Sequence, residues 1–209
     1  MKNILVVESS PMGERSVSRR LTKEVLDGLR RLHPGSAVIV RDLAARPLPH
    51  LGAEQIAAYY TPDEKRDESL RSAVRLSDEA VDELLAADLV VIGAPMWNFG
   101  LPSALKAWID HVVRSGRTFT LGADGAKGLA AGKKAYVVTA SGGVFSSGPY
   151  KDYDFQAPYL RAVLGFIGVT DVTFLRAEGL NDPRTKDTAY AKARGEVDAL
   201  FAAPAGVKK

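Results

Sequence analysis

Five short apolar runs, rich in β-branched residues, are the feature of the sequence that most limits its fold. They lie at residues 4–7, 37–40, 89–92, 135–138 and 169–175. Most are continuous rather than alternating, a pattern typical of strands that are buried on both faces. The runs therefore predict a parallel sheet that is covered by helices on its two sides.

Segments with helical periodicity separate these runs. The first carries apolar residues at spacings of four, four and three, which lie on one face of a helix: Leu21, Val25, Leu29 and Leu32. Similar patterns predict helices at 70–85, 101–115, 159–167 and 189–201. This alternation predicts a doubly wound α/β fold, with five parallel strands in the order 2-1-3-4-5 and helices on both faces.

The length of 209 residues is consistent with one domain. We expect this domain to span residues 1–203, with a flexible tail at 204–209. Two stretches with clustered prolines or glycines, 46–62 and 119–132, are predicted to be functional or interface loops.

Composition excludes several classes of function. The chain has no cysteine, so disulfides, thiolate metal sites and a cysteine nucleophile are ruled out. The formal net charge is +3, too small for a dedicated nucleic-acid binder. No run approaches the ~20 apolar residues of a membrane span, and the three histidines are scattered, so we expect a soluble cytoplasmic protein without a metal site.

The segment after the first run is suited to binding a phosphate group. Ser10, Ser16 and Ser18 supply hydroxyls around the predicted start of a helix, and Arg15 and Arg19 add positive charge. Free N–H groups at a helix N-terminus also favour anions. Ser16 could equally be only a helix N-cap. Neither a P-loop nor a Gly-x-Gly-x-x-Gly motif is present, which favours a small phosphate group over a triphosphate.

The segment after the third run carries large side chains that are polarizable or planar. Met96, Trp97, Asn98 and Phe99 follow this strand directly. Exposed aromatic rings on a loop favour a flat ligand that covers them. The alternative is that Met96, Trp97 and Phe99 pack on the next helix.

A pair of glycines follows the fourth run, in the sequence Ala140, Ser141, Gly142, Gly143. Such a pair lets a backbone approach a ligand closely, and it is also ordinary turn chemistry. In the predicted strand order, the carboxyl ends of strands one, three and four meet where ligands bind in such sheets. The three loops therefore predict one ligand site.

One stretch carries a specific resemblance. The run PMWNFGLPSALKAWID at residues 95–110 is similar to the signature of the FMN-dependent NADH-azoreductase (NADH:quinone oxidoreductase) family. Shorter matches occur at residues 41–43, 116–119, 164–168 and 177–179, so that the resemblance runs from about residue 4 to about residue 179.

The resemblance implies a flavodoxin-like homodimer, with one tightly bound FMN per subunit near the interface. By position, the FMN phosphate would be held by Ser10, Ser16, Val17 and Ser18. The isoalloxazine ring would be lined by Met96, Trp97, Asn98 and Phe99, and its pyrimidine edge by Ala140, Ser141, Gly142 and Gly143. Where the family often has Ser-Arg-Gly-Gly, this chain has Ala140 and Ser141 before the glycines, so a charged side chain is lost.

The expected activity is two-electron transfer from NADH or NADPH through FMN to quinones and azo compounds, by a ping-pong hydride relay. The cofactor carries the chemistry, so no catalytic acid or base is required. The backbone N–H groups of Asn98 and Gly142 are candidates for hydrogen bonds to the flavin ring. Phe119 and the segment 47–60 are expected to close the pocket, in the same subunit or in its partner.

The main alternative is a non-catalytic FMN-binding electron carrier, for which an acidic docking surface rather than a net basic chain would be expected. A receiver-type signalling domain would need clustered acids after strand one, where only Glu8 stands. A serine hydrolase would need Gly-x-Ser-x-Gly, which is absent. The expected partners are small aromatic electron acceptors, with no nucleic acid and no membrane.

Overall fold

Five parallel strands form one sheet in the computed structural model, which describes residues 1–202. Along the chain the strands are β1 (Asn3–Glu8), β2 (Ala37–Asp42), β3 (Leu89–Pro95), β6 (Lys134–Ala140) and β7 (Asp171–Ala177). Their order across the sheet is β2-β1-β3-β6-β7. This is the predicted 2-1-3-4-5 order, and it is confirmed. A separate hairpin consists of β4 (Phe119–Gly122) and β5 (Gly125–Gly128).

Helices cover both faces of this sheet. They are α1 (Val17–Leu32), α2 (Ala53–Tyr60), α3 (Glu68–Ala86), α4 (Ser103–Val112), α5 (Ala157–Phe166) and α6 (Lys186–Leu200). The tail that the sequence predicts at residues 204–209 lies outside the described residues. None of the helices within residues 1–202 is long and apolar enough to cross a membrane.

The alternation of side chains along each central strand divides the core in two. Leu5 and Val7 of β1 pack with α3, α4 and α5, whereas Ile4 and Val6 pack with α1 and α6. Trp108 of α4 is fully buried in the first of these clusters. Each fully buried aliphatic side chain contributes roughly 1.5–3 kcal/mol, so both faces are needed for stability.

The edge strand β2 departs from the expectation that the runs are buried on both faces. Its side chains Ile39 and Val40 are 45% and 50% exposed. Among residues 1–202 the strand pairs only with β1, and apolar content alone does not reveal an edge position.

The two stretches predicted as loops contain regular structure, so that prediction is wrong in part. Residues 46–62 include α2, where Ala58 is the one buried residue, so no apolar stripe marks the helix. Residues 119–132 include the hairpin, whose turn precedes Gly125 at φ +100°. The Asp124-Gly125 pair is typical of such turns and could have revealed it.

The last strand begins two residues later than predicted. Val169 lies in the turn between α5 and β7, where its N–H donates to the carbonyl of Leu164 over 2.9 Å. Gly168 makes this turn with φ +98°. The apolar run starts before the strand because Val169 is itself a core residue.

Candidate functional site

Three loops meet at the carboxyl edge of the sheet. The Ser9 hydroxyl, at the end of β1, donates to the carbonyl of Gly93 in β3 over 2.5 Å. The Met96 N–H, after β3, donates to the Ala140 carbonyl at the end of β6 over 2.8 Å. Hydrogen bonds therefore link all three strand ends, and the loops that follow them are held side by side.

The first loop presents hydrogen-bond donors at the start of α1. Ser16 is the N-cap, since its Oγ accepts the N–H of Arg19 over 3.3 Å, and it lies 3.0 Å from the Oγ of Ser18. Within residues 1–202 the N–H groups of Val17 and Ser18 have no acceptor. The side chains of Ser10, Ser16 and Ser18 are at most 5% exposed. The loop thus combines close hydroxyls with free N–H groups, and capping accounts for only one of these contacts.

Arg19 joins this loop to the end of β2. Its Nε and Nη2 donate to the Ser10 carbonyl over 3.0 and 2.8 Å, and its Nη1 and Nη2 each contact the Asp42 carboxylate at 2.7 Å. The hydrogen bonds from Arg19 lower the pKa of Asp42, and Asp42 in turn raises the pKa of Arg19. The guanidinium therefore fixes the backbone at Ser10 and has its charge balanced by Asp42.

The second loop, after β3, contains a tight two-residue turn. Trp97 and Gly100 exchange backbone hydrogen bonds of 3.1 and 3.0 Å, with Asn98 and Phe99 between them at φ 47° and 69°. Positive φ at both central positions defines a type I′ turn. In the part of the chain that the structure describes, the N–H groups of Asn98 and Phe99 have no acceptor. This turn leaves two backbone donors free for a ligand.

The side chains of this turn are not packed away on the next helix. Trp97 is 47% exposed and Phe99 45% exposed, whereas Met96 is half-buried. Two aromatic rings in contact with water favour a flat ligand over the alternative of packing on α4.

The third loop, after β6, is held by backbone hydrogen bonds from the segment that follows β7. The carbonyls of Ser141, Gly142 and Gly143 accept the N–H groups of residues 180, 181 and 179 over 3.1, 2.9 and 3.0 Å. The N–H groups of Gly142 and Gly143 make no hydrogen bond with any described residue. Consequently the acceptors of this loop are used within the protein, and its donors are available.

The side chain of Ser141 closes the turn of the third loop, and that of Ala140 is buried beside it. The Ser141 hydroxyl donates to the Gly143 carbonyl over 2.9 Å, and Ala140 is buried at the end of β6. A Cβ at Gly142 would lie 2.6 Å from the Nδ2 of Asn181. A side chain at position 142 would therefore displace the Asn181 side chain, and Ser141 does not replace the charge that the family often has here.

An aromatic cluster borders the second and third loops. It consists of Phe99, Phe145, Tyr150 and Tyr153, with ring centroids 5.4 to 6.5 Å apart. Sequence reasoning missed Tyr150 and Tyr153. The one indication was a run of three aromatic residues within 150–155.

Two side chains, Glu178 and Gln156, fasten the segment that carries these rings to the edge of the sheet. Glu178 accepts the N–H groups of Phe145 and Ser146 over 2.9 and 2.8 Å. Gln156 Nε2 donates to the carbonyls of Ala94 and Pro95 over 3.0 and 3.2 Å. The cluster therefore has a fixed position relative to β3 and β7.

Two open clefts adjoin the loops. The first, of about 610 Å³, is lined by Ser9, Pro11, Ala44, Trp97, Asn98, Gly100, Leu101, Pro102, Ser103 and Ala104. The second, of about 700 Å³, is lined by Gly142, Gly143, Tyr150, Asn181, Asp182, Pro183 and Arg184. The structure thus brings the second and third loops to separate clefts, and residues 16–18 line neither one.

The segments expected to close the pocket do not line these clefts in their own subunit. Phe119 packs on Phe166 of α5 at a centroid distance of 4.7 Å. Within 47–60, the Pro49 carbonyl contacts Nε2 of His111 over 2.9 Å, and Tyr59 donates to Ser77 over 3.0 Å. Burial lowers the pKa of His111, in accordance with a structural role. Residues 1–202 contain no group of His, Asp and Glu that could hold a metal ion.

The sheet order, with a serine-rich loop and an aromatic turn at adjacent strand ends, defines a flavodoxin-type α/β protein. The chain belongs to the family described as having a flavodoxin-like fold, whose model matches residues 2–201.

Proteins of known sequence and structure resemble this chain over almost its whole length. An FMN-dependent NADH:quinone oxidoreductase of Nostoc punctiforme is 48% identical over 203 residues, which cover 97% of this chain and 99% of that protein. One of Beijerinckia indica is 49% identical over 200 residues, with coverage of 96% and 99%. The crystal structure of an azoreductase from Bacillus anthracis str. Sterne matches with a TM-score of 0.89 at 30% identity, covering 96% of this chain and 99% of that one.

Proposed function

We propose that the chain is an FMN-dependent NAD(P)H:quinone oxidoreductase that also reduces azo compounds. The observation that carries the proposal is the set of free backbone donors in all three loops at one edge of the sheet. The names of the similar proteins support the same cofactor and reaction.

The first loop is suited to the FMN phosphate. An anionic tail needs several donors within a small space, and the loop offers the hydroxyls of Ser10, Ser16 and Ser18 with the N–H groups of Val17 and Ser18. The positive end of the α1 dipole adds to the attraction for an anion. The residues therefore fit a phosphate monoester.

The other two loops are suited to the ring system. Met96, Trp97, Asn98 and Phe99 would line one side of a planar group, with Ala140, Ser141, Gly142 and Gly143 at its polar edge. The free N–H groups of Asn98 and Gly142 would donate to oxygen or nitrogen atoms of the ring. Such fixed donors stabilise negative charge that develops during electron transfer.

When bound, FMN supplies the two-electron chemistry, accepting hydride from NADH or NADPH and delivering electrons to a quinone or azo compound in a ping-pong cycle. The residues of the chain bind and orient the reactants and exclude water from them. A single site that serves donor and acceptor in turn accounts for the ping-pong order. The use of NAD(P)H favours a location in the cytoplasm.

We also propose a homodimer with the sites near its interface. Trp97, Phe99 and Tyr150 leave a substantial apolar surface exposed beside the clefts, and a second copy of the chain would cover part of it. In such a dimer Phe119 and the segment 47–60 could border the site of the partner subunit.

An absorbance spectrum tests the proposed function. Purified protein should be yellow, release FMN rather than FAD on denaturation, lose its flavin absorbance with anaerobic NADH and regain it with a quinone. Colourless protein that takes up no FMN would overturn the proposal. Bound FMN that NADH does not reduce would favour the electron carrier instead.

A further inference from the structure

We propose that Glu8 is held as a neutral carboxylic acid beneath the first loop, and that its proton sets the pH range over which the loop accepts an anionic tail. The identity of that tail as the FMN phosphate rests on the proposed function. The protonation of Glu8 does not, because it follows from the contacts of the side chain.

The hydrogen-bond contacts of Thr22 favour a proton on Glu8. The Thr22 hydroxyl contacts two oxygens, the Arg19 carbonyl at 2.9 Å and Oε1 of Glu8. Thr22 has one hydroxyl proton and can donate it to only one of these oxygens, so an ionised Glu8 would leave one of the two contacts without a hydrogen. A protonated Glu8 allows both contacts to be hydrogen bonds, because it can donate to Thr22 while Thr22 donates to the Arg19 carbonyl.

The surroundings of the second oxygen agree with this assignment. Oε2 of Glu8 is buried and has no hydrogen-bond partner among residues 1–202. It packs on Gly93, where an added Cβ would lie 2.6 Å from it. Burial of an unpaired carboxylate oxygen costs far more free energy than burial of the carbonyl oxygen of a neutral acid. Burial accordingly raises the pKa of Glu8 above its usual range, although the hydrogen bond from Thr22 and the charge of Arg19 oppose this.

No described cation pairs with Glu8. The positive charge that acts on Glu8 is that of Arg19, whose donors are used by Asp42 and the Ser10 carbonyl. Asp42 itself disfavours a second negative charge and raises the pKa of Glu8 further. The other neighbours, Thr22 on α1 and Gly93 on β3, are uncharged.

The position of Glu8 connects its charge to the proposed phosphate site. Thr22 lies one helical turn after Ser18, so the carboxyl group lies below the serines that would bind the tail. A neutral Glu8 leaves the local field positive. Ionisation of Glu8 at higher pH would add a negative charge under the loop and weaken the binding of a phosphate dianion.

The affinity for FMN as a function of pH tests this coupling, with riboflavin as the probe that lacks the phosphate. Above about pH 7 the FMN phosphate is mostly the dianion, so its own ionisation changes little. As the pH rises through the raised pKa of Glu8, the wild-type Kd for FMN should rise by about tenfold or more, and that for riboflavin by less than about threefold. In Glu8→Gln the Kd for FMN should change by less than about threefold. The matched control is Glu14→Gln, which removes an exposed carboxylate from the same loop and should keep the wild-type profile.

Carbon-13 NMR of the side-chain carboxyl groups in flavin-free wild-type protein gives a second readout that needs no variant to fold. One glutamate should keep the chemical shift of a protonated carboxyl at neutral pH. Absence of that resonance, or an FMN profile equal to that of Glu8→Gln, overturns the inference. If the resonance is present and no flavin binds at any pH, the proposed function fails while the neutral Glu8 stands.

Discussion

The ring of Phe145 meets the ring of Phe99 edge to face, with centroids 6.0 Å apart and an interplanar angle of 67°. This contact joins the loop after β6 to the turn after β3, and Tyr153 approaches Phe99 from a further segment at 5.4 Å. Edge-to-face pairs contribute about 0.5–1.5 kcal/mol beyond burial. The turn that exposes Phe99 is therefore supported by its neighbours.

Replacement of Asn98 tests the role of the type I′ turn. Alanine at φ 47° is less favourable than asparagine, so Asn98→Ala should lower the free energy of unfolding by roughly 1 kcal/mol. It should also slow flavin reduction by NADH by roughly tenfold, with a smaller effect on FMN affinity, because the N–H of residue 98 is displaced. Urea denaturation and stopped-flow absorbance measure the two effects.

Asn98→Gly is the matched control for this substitution. Glycine adopts positive φ without strain and keeps the backbone N–H. Rates close to wild type are expected. A glycine variant as slow as the alanine variant would show that the amide side chain, not the turn, is what matters.

The double substitution Ser16→Ala with Ser18→Ala tests the phosphate site. Loss of two hydroxyl contacts to a charged group, each contributing about 1.5 kcal/mol, should weaken FMN binding by roughly 100-fold. Riboflavin affinity should stay within about threefold. Ser18→Ala alone separates binding from capping, because only Ser16 caps α1. Unchanged FMN retention in the double variant would refute the assignment.

A methyl group at Gly142 should disturb the third loop through Asn181. The added Cβ would lie 2.6 Å from Nδ2 of Asn181, so Gly142→Ala should cost about 1 kcal/mol of stability and weaken flavin binding. Addition of Asn181→Ala to the Gly142→Ala variant should restore part of the stability and part of the flavin affinity. A double-mutant cycle from urea denaturation measures this coupling. Additive effects of the two changes would contradict the predicted clash.

The ion pair between Arg19 and Asp42 predicts an acid-sensitive contribution to stability. The pKa of Asp42 is lowered in the folded protein by its hydrogen bonds with Arg19. Its contribution is therefore present above the ordinary aspartate range and is lost as the pH falls through the lowered pKa. The stability difference between wild type and Asp42→Asn should shrink on acidification. Asp124→Asn, in the β4–β5 turn, is the control, and its stability difference from wild type should not shrink on acidification. A stability difference for Asp42→Asn that does not vary with pH would argue against a stabilising ion pair between Arg19 and Asp42.

The proposed dimer predicts a mass in solution of twice the 22.4 kDa of one chain. Sedimentation equilibrium over a range of protein concentrations measures it. Burial of the apolar surface around Trp97 and Tyr150 is the physical reason for association. A monomer that still holds FMN and reduces quinones would contradict the proposed position of the sites at an interface.

The strands β1, β3 and β6 could be predicted from sequence because buried parallel strands need continuous apolar runs. Their order followed from the doubly wound class that the strand–helix alternation indicates, not from the runs themselves. The helix α2 could not be predicted, since one buried residue, Ala58, leaves no periodic pattern. The hairpin was missed although the Asp124-Gly125 pair is typical of its turn. Local patterns therefore predicted the elements with the most burial and missed those with the least.

Some residues of the candidate site could likewise be predicted from the sequence, and others could not. Ser16 and the free donors of Asn98 and Gly142 lie on the loops that the strand order predicts. The aromatic residues at 150–155 gave an indication in the sequence, but the place of Tyr150 and Tyr153 at the site depends on contacts between distant segments, from Gln156 to Ala94 and from Glu178 to Phe145. Tertiary contacts of this kind have no periodicity in sequence.

The pairing of β6 with β3 has a consequence for how the protein is made. The loops at residues 10–18 and 96–99 leave the ribosome well before the loop at 140–143, which is fixed only when β6 docks beside β3. A nascent chain that stops short of β6 lacks one side of the proposed pocket. In the proposed site, loading of the vitamin-derived cofactor would therefore have to follow docking of β6, and yellow colour would report that strand assembly is complete.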